Sequence, residues 1–228
     1  MSQSVNRFAV GPVVGEAGDT HVRVFGALPK GKLGAGKKWL WGRIRWRSKG
    51  SADWSPARAF RLNGNFDGSG VVILNQLRPG TCYEYQAGWV ATEDDVVLDW
   101  DTADQGEFLT NQPDADATRF FFGSCCYRFV GLDGEIQDDR ADKIFAEMSS
   151  RAETSKPDFV LFGGDQVYAD SMYMVGAATT REDFDALYRE SFSQPHLAKL
   201  LRNTNSYMIL DDHEIENNWP ARANAELW

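Results

Sequence analysis

Three short apolar runs constrain this chain most: Phe120-Phe121-Phe122, Phe159-Val160-Leu161-Phe162 and Tyr207-Met208-Ile209-Leu210. Each is too short for a helix and lacks polar alternation, the pattern of a strand covered on both faces. Helical signals lie between them. Asp138 or Asp139 can cap a helix whose inner face includes Ile144, Phe145 and Met148. Thr180-Arg181-Glu182-Asp183 resembles a capping box, with Asp where Glu or Gln is usual. The helix it opens would bury Phe184, Leu187 and Tyr188, with Phe192 at its end. Pro195 suits the first turn of another helix, through Leu201. Alternating β and α elements imply a parallel sheet with right-handed crossovers.

Each run also ends in reactive side chains. Gly123-Ser124-Cys125-Cys126-Tyr127 follows the first, Gly163-Gly164-Asp165-Gln166-Val167-Tyr168 the second, and Asp211-Asp212-His213-Glu214 the third. Ligands of open α/β sheets bind at the carboxyl ends of the strands. Neighbouring strands would therefore bring a thiol, carboxylates, a phenol and an imidazole into one crevice. Carboxylates bridge cations and suit hard ions, while thiolate and phenolate suit a more Lewis-acidic transition metal. Paired metals clamp a phosphoryl group and generate a hydroxide nucleophile, and a nearby His can protonate the leaving oxygen.

The region before Thr110 reads differently. Val22–Phe25, Trp39–Arg47, Ala59–Leu62, Val71–Leu74, Cys82–Ala87 and Gly106–Thr110 alternate or cluster as short strands between turn signals. That spacing predicts an antiparallel β-sandwich over residues 1–110. The polar, Pro-bearing stretch 111–118 reads as a linker, and residues 119–228 as the start of an α/β domain. The Trp-Arg alternation from Trp39 to Arg47 fits a sandwich strand with a solvated basic face better than a base-stacking surface.

The net charge of −9 gives no broad basic surface for a nucleic-acid backbone, so a phosphate site needs local positive charge. Cys82, Cys125 and Cys126 form no disulfide framework. Residues 1–8 show neither an apolar signal core nor a twin arginine, and no apolar run reaches membrane-spanning length. As written, the chain reads as cytoplasmic, with export through a missing leader left open.

The blocks Gly164-Asp165-Gln166-Val167-Tyr168-Ala169-Asp170 and Asp211-Asp212-His213-Glu214-Ile215-Glu216-Asn217-Asn218-Trp219 resemble signatures of the PhoD-like alkaline phosphatase and phosphodiesterase family. That family belongs to the calcineurin-like metallophosphoesterases. Ser124-Cys125 matches its Ser-Cys motif, Tyr188-Arg189 a further element, and the β-rich front half its N-terminal domain. The resemblance implies hydrolysis of phosphate mono- or diesters by metal-activated hydroxide. It implies Cys125, Asp165, Tyr168 and Asp212 as metal ligands, with Asp165 bridging, and two or more metal ions, iron and calcium among them. It makes His213 the catalytic proton donor, and Arg189 and Asn217 candidates for the substrate or calcium shell.

Other residues have plainer readings. Cys82 and Cys126 are small buried hydrophobes, His21 and His196 are structural, and Tyr188 is a core residue. Asp211 either orients His213 or bonds a loop. The family draws further ligands from later His- and Asp-bearing motifs, whereas this sequence holds three His in all. The chain therefore reads as the N-terminal portion of a longer enzyme. The alternative is a non-catalytic binding protein that keeps the fold without a complete metal centre.

Overall fold

A computed structural model of the chain describes residues 2–34, 36–93, 97–127, 140–170 and 177–219. Seven strands make one antiparallel sheet: β2 (Val10–Ala17), β3 (His21–Ala27), β4 (Trp39–Ser48), β5 (Arg58–Asn63), β6 (Ser69–Asn75), β7 (Cys82–Val90) and β9 (Asp104–Leu109). Their order is β2-β3-β6-β5-β4-β7-β9. β5 and β6 pair only at Asn63 and Ser69, so the sheet folds over at that corner. Val14, Val22, Val24, Val72 and Leu74 from one arm share a core with Leu40, Ile44, Leu62, Tyr85 and Phe108 from the other. Each such large side chain contributes about 1.5–3 kcal/mol on burial. The expected sandwich is thus a single continuous sheet, nearly a barrel, whose end strands β2 and β9 approach each other. A separate parallel pair joins β1 (Ser2–Ser4) to β8 (Val97–Asp99).

Every strand read from the sequence in this half is present. β1, β2 and β8 are additional. Gly11, Pro12 and Gly15 hide β2 from an alternation reading, and its register shifts between Val10 and Val13. Pro12 is tolerated there because β2 is an edge strand.

The Trp-Arg alternation is not a solvated basic face. Arg45 lies 4.7 Å from the rings of both Trp54 and Trp100, Arg47 4.3 Å from Trp54, and Arg61 4.6 Å from Trp39. Arg43 is buried. The guanidiniums stack between indoles, because ring faces attract cations while the stems stay dry.

The second half holds a parallel sheet in the order β10 (Phe120–Gly123), β11 (Phe159–Phe162), β12 (Ser206–Met208). The helices are α1 (Arg140–Ser155), α2 (Arg181–Phe192) and α3 (Pro195–Asn203). Both bonds of the capping box form at α2, Thr180 accepting from Asp183 N and Asp183 from Thr180 N. Pro195 opens α3 as expected. Gln194 makes no side-chain cap there. Asp142 of α1 does so instead, accepting Leu197 N–H at 3.1 Å. Leu197, Leu200 and Leu201 bury the i, i+3, i+4 face of α3 against Phe145, Val160 and Phe162.

Three packing expectations need correction. Among the described residues the parallel sheet is covered on one face: Phe121, Val160, Phe162 and Met208 join the core, while Phe120 and Phe122 are 52% and 65% exposed. No described element packs on the outer face, where Phe120 stacks on Phe159 at 5.2 Å. In the third run the strand stops at Met208, and Ile209 and Leu210 are exposed, being already part of the site loop. Ile144 faces solvent on α1, where the inner stripe is Phe145, Met148 and Ser149. The proposed cap at Asp138 or Asp139 lies outside the described residues.

The parallel sheet is bolted to the first sheet through β12. Ser206 donates to Val14 O at 2.7 Å, Asn205 to Leu109 O at 2.6 Å, and Tyr85 to Arg202 O at 2.9 Å. Buried polar groups need partners, so these bonds fix where β12 begins and hence the position of the short strand that leads into its loop. No helix among the described residues is long and apolar enough to cross a membrane.

Candidate metal centre

The loops after β10, β11 and β12 meet at the carboxyl edge of the sheet. Gly164 permits the approach. Its φ is +103°, and a Cβ there would sit 2.3 Å from Asp211 Cβ. Behind the loops stands Glu214, 4% exposed. Its carboxylate accepts the N–H groups of Asp165 at 3.0 Å, Gln166 at 2.6 Å and Asp211 at 2.9 Å. The β10 loop is tied in by Cys125 N–H to Gly164 O at 3.2 Å and Cys126 N–H to Asp165 O at 2.8 Å. Cys125 and Asp165 both have positive φ, +59° and +54°. Such a backbone costs about 1–3 kcal/mol per residue and persists where the surroundings over-determine it.

Asp165 is the hub. Its Oδ2 accepts the Cys125 thiol at 3.4 Å and the Tyr168 hydroxyl at 3.5 Å. Its Oδ1 accepts the His213 N–H at 3.4 Å. One donor atom each from Asp165, Asp212 and His213 falls within 4.8 Å of the others, a spacing that suits a cation. The imidazole of His213 lies 4.3 Å from the Tyr168 ring, and its Nδ1 is 2.8 Å from Asp170 Oδ2. The other Asp170 oxygen is buried without a partner among the described residues.

The electrostatics follow. Burial pushes the Tyr168 phenol well above its ordinary range, and the negative charges of Asp165 and Cys125 add to it. Burial opposes charge on His213, but the hydrogen bond and charge of Asp170, with Asp165 and Asp212, raise the imidazole above its usual value. Asp212 is held below the carboxylate range, chiefly by the N–H of Asn218. Thiol, phenol, imidazole and carboxylates gathered in this way form a donor set that fits metal ions, since a cation relieves the penalties that carboxylates impose on a neighbouring thiolate or phenolate.

The structure thus brings Cys125, Asp165, Tyr168, Asp212 and His213 together. Asn217 follows in the same turn, half-buried. Arg189 is not brought in. Its Nε pairs with Asp67 Oδ2, its Nη1 donates to Leu28 O at 2.7 Å and its Nη2 to Asp67 O at 2.6 Å. The guanidinium is engaged by the first sheet, the salt-bridge role that is the plainer reading of such an Arg. Asp211 meets the loop through its main chain. Asp170 and Glu214 are the residues holding the cluster in place that motif reading quoted without assigning. Their signal was the acidic residue closing each block.

Residues 125–227 match the family model of the PhoD-like phosphatases. A solved structure of PhoD superposes with a TM-score of 0.70 at 18% identity, covering 93% of this chain and 40% of that one. The purple acid phosphatase PPD1 from yellow lupin (Lupinus luteus) seeds superposes with a TM-score of 0.57 at 14% identity, over 88% of this chain and 34% of that one. At these identities the likeness is one of fold, and the chain spans well under half the length of either structure. A search of curated protein sequences returns no significant match.

Proposed function

We propose that this chain, whose residues 125–227 belong to the PhoD-like phosphatase family, carries part of a metal-dependent centre for hydrolysing phosphate mono- or diesters. The observation that carries the reading is the convergence of Asp165, Asp212 and His213 within 4.8 Å at the carboxyl edge of a parallel sheet. Bound cations would supply Lewis-acid polarisation of the phosphoryl group and a nucleophile at neutral pH.

The chain's own residues then take these roles. Asp165, whose Oδ2 accepts the Cys125 thiol and whose Oδ1 accepts the main-chain N–H of His213, would be the ligand shared between metal ions. Cys125 and Tyr168 serve the Oδ2 side, where thiolate and phenolate would favour iron. Asp212 serves as a further ligand, and oxygen donors of this kind also suit calcium. His213 is the proton donor to the leaving alcohol. Asp170 holds its Nδ1, which leaves Nε2 free to face the ester oxygen. Asn217 contacts substrate. In this reading, residues 1–110 form a supporting domain, 111–118 a linker, and 119–228 the first portion of the phosphoesterase domain.

Metal analysis of the purified protein, with turnover of aryl phosphate mono- and diesters, tests the proposal. Stoichiometric metal that disappears in Asp165→Ala supports it, as does turnover that falls with the metal. A protein that binds no metal, or an Asp165→Ala variant with full activity, overturns it. A second reading, a binding protein without catalysis, draws on the single His in the cluster among the described residues. Metal binding without turnover of either ester class would select it.

A further inference from the structure

A second site lies at the opposite edge of the parallel sheet. At the amino ends of β11 and β12, between the first sheet and helices α1 and α3, opens a cleft of about 550 Å³. The four-residue strand β11 separates it from the metal-centre loops by roughly 13 Å. Its size is that of a small-molecule site.

The chemistry of its walls is specific. Lys49 just after β4, Lys156 just after α1 and Lys199 of α3 line it, together with Cys82, Glu107, Ser149 and Glu153. Lys49 pairs with Glu107 at 2.6 Å and Lys199 with Glu153 at 3.4 Å. Lys156 has no ion pair among the described residues, so the cleft carries a surplus positive charge in a chain of net charge −9. Ser149 is 7% exposed, and its hydroxyl has no hydrogen-bond partner among the described residues. A buried unpaired hydroxyl is costly, and a ligand oxygen would satisfy it.

We propose that this cleft binds a small tetrahedral oxyanion, inorganic phosphate or the phosphate group of a small ester. Four oxygens directed to the corners of a tetrahedron can meet ammonium groups arriving from three parts of the chain and the Ser149 hydroxyl together. A planar carboxylate offers two oxygens in one plane and cannot. Lysines suit the task as mobile point charges. The site needs no metal, and its ligand is held apart from the loops of Asp165 and His213.

Calorimetric titration of the protein with inorganic phosphate, in chelator to empty the metal centre, tests this. Saturable binding is expected, weakened about tenfold by Lys156→Gln and also by Ser149→Ala, and unchanged in Asp165→Ala. Tighter binding of glycerol phosphate than of inorganic phosphate would identify an ester as the ligand. Melting curves check that each variant is folded, and amide shifts at Ser149 report occupancy directly. The proposal is overturned by lack of saturable binding, by binding lost in Asp165→Ala but kept in Lys156→Gln, or by equal affinity for malonate. Since no arm uses catalysis, its failure leaves the phosphoesterase reading untouched.

Discussion

The buried carboxylate of Glu214 holds the backbone of Asp165, accepting its N–H at 3.0 Å. The same carboxylate takes the N–H groups of Gln166 and Asp211, so one side chain clamps the loops of two strands. Glu214→Ala leaves buried donors unpaired and is expected to cost about 3 kcal/mol in urea unfolding. It should also weaken metal binding about 10–100-fold, the usual scale for a residue that supports ligands without touching the ion. An unchanged metal affinity would show that the clamp serves stability alone.

Asp165→Asn should abolish metal retention while leaving the fold intact, because the amide oxygen still accepts one bond. In chelator, the Tyr168 phenol should titrate lower in this variant. Burial, the first cause of its raised value, remains, but the Asp165 charge that adds to it is gone. Ultraviolet titration of the tyrosines reads the shift.

The raised His213 value sets a pH dependence for the metal-free protein. Its contribution to stability is fully present below the unfolded histidine value of about 6.5 and is lost as pH rises through the folded value. Asp212 acts in the opposite sense: its contribution is present above the unfolded value of 3.8 and is lost as pH falls through the folded one. Melting temperatures in chelator should therefore decline across the upper histidine range. Asp170→Asn, which removes the partner that raises His213, should flatten that decline.

Arg189→Ala tests a docking role. The guanidinium is 15% exposed and Asp67 31%, so solvent discounts the pair, and a loss of about 2 kcal/mol is expected on unfolding. Metal content should be unchanged. A variant of normal stability with a raised KM for phosphate esters would return Arg189 to the substrate.

Much of the site was legible from residue order. Cys125, Asp165, Tyr168, Asp212 and His213 each follow an apolar run, and strand ends at one sheet edge converge whatever the loops do. The partner of Arg189 was not legible, because a helical position does not reveal which neighbour a long side chain will reach. Asp67, its partner, lies in a turn of the first sheet, far away in sequence. Phe120 and Phe122 were misread for a related reason. An apolar run records that a strand can be covered on both faces, but not which described elements pack on each.

The sequence by itself determined the local elements and the chemistry carried at their ends: strand runs, the capping box at Thr180, Pro195 at a helix start, and a donor set suited to metal. These depend on contacts between near neighbours, which a linear pattern records. Tertiary structure decided that the front strands form one folded sheet, that Arg45 stacks between Trp54 and Trp100, and that Glu214 rather than Asp211 organises the loops. It also decided that Lys49, Lys156 and Lys199 share a cleft. Each of these joins residues distant along the chain, and their meeting is set by the packing of whole elements.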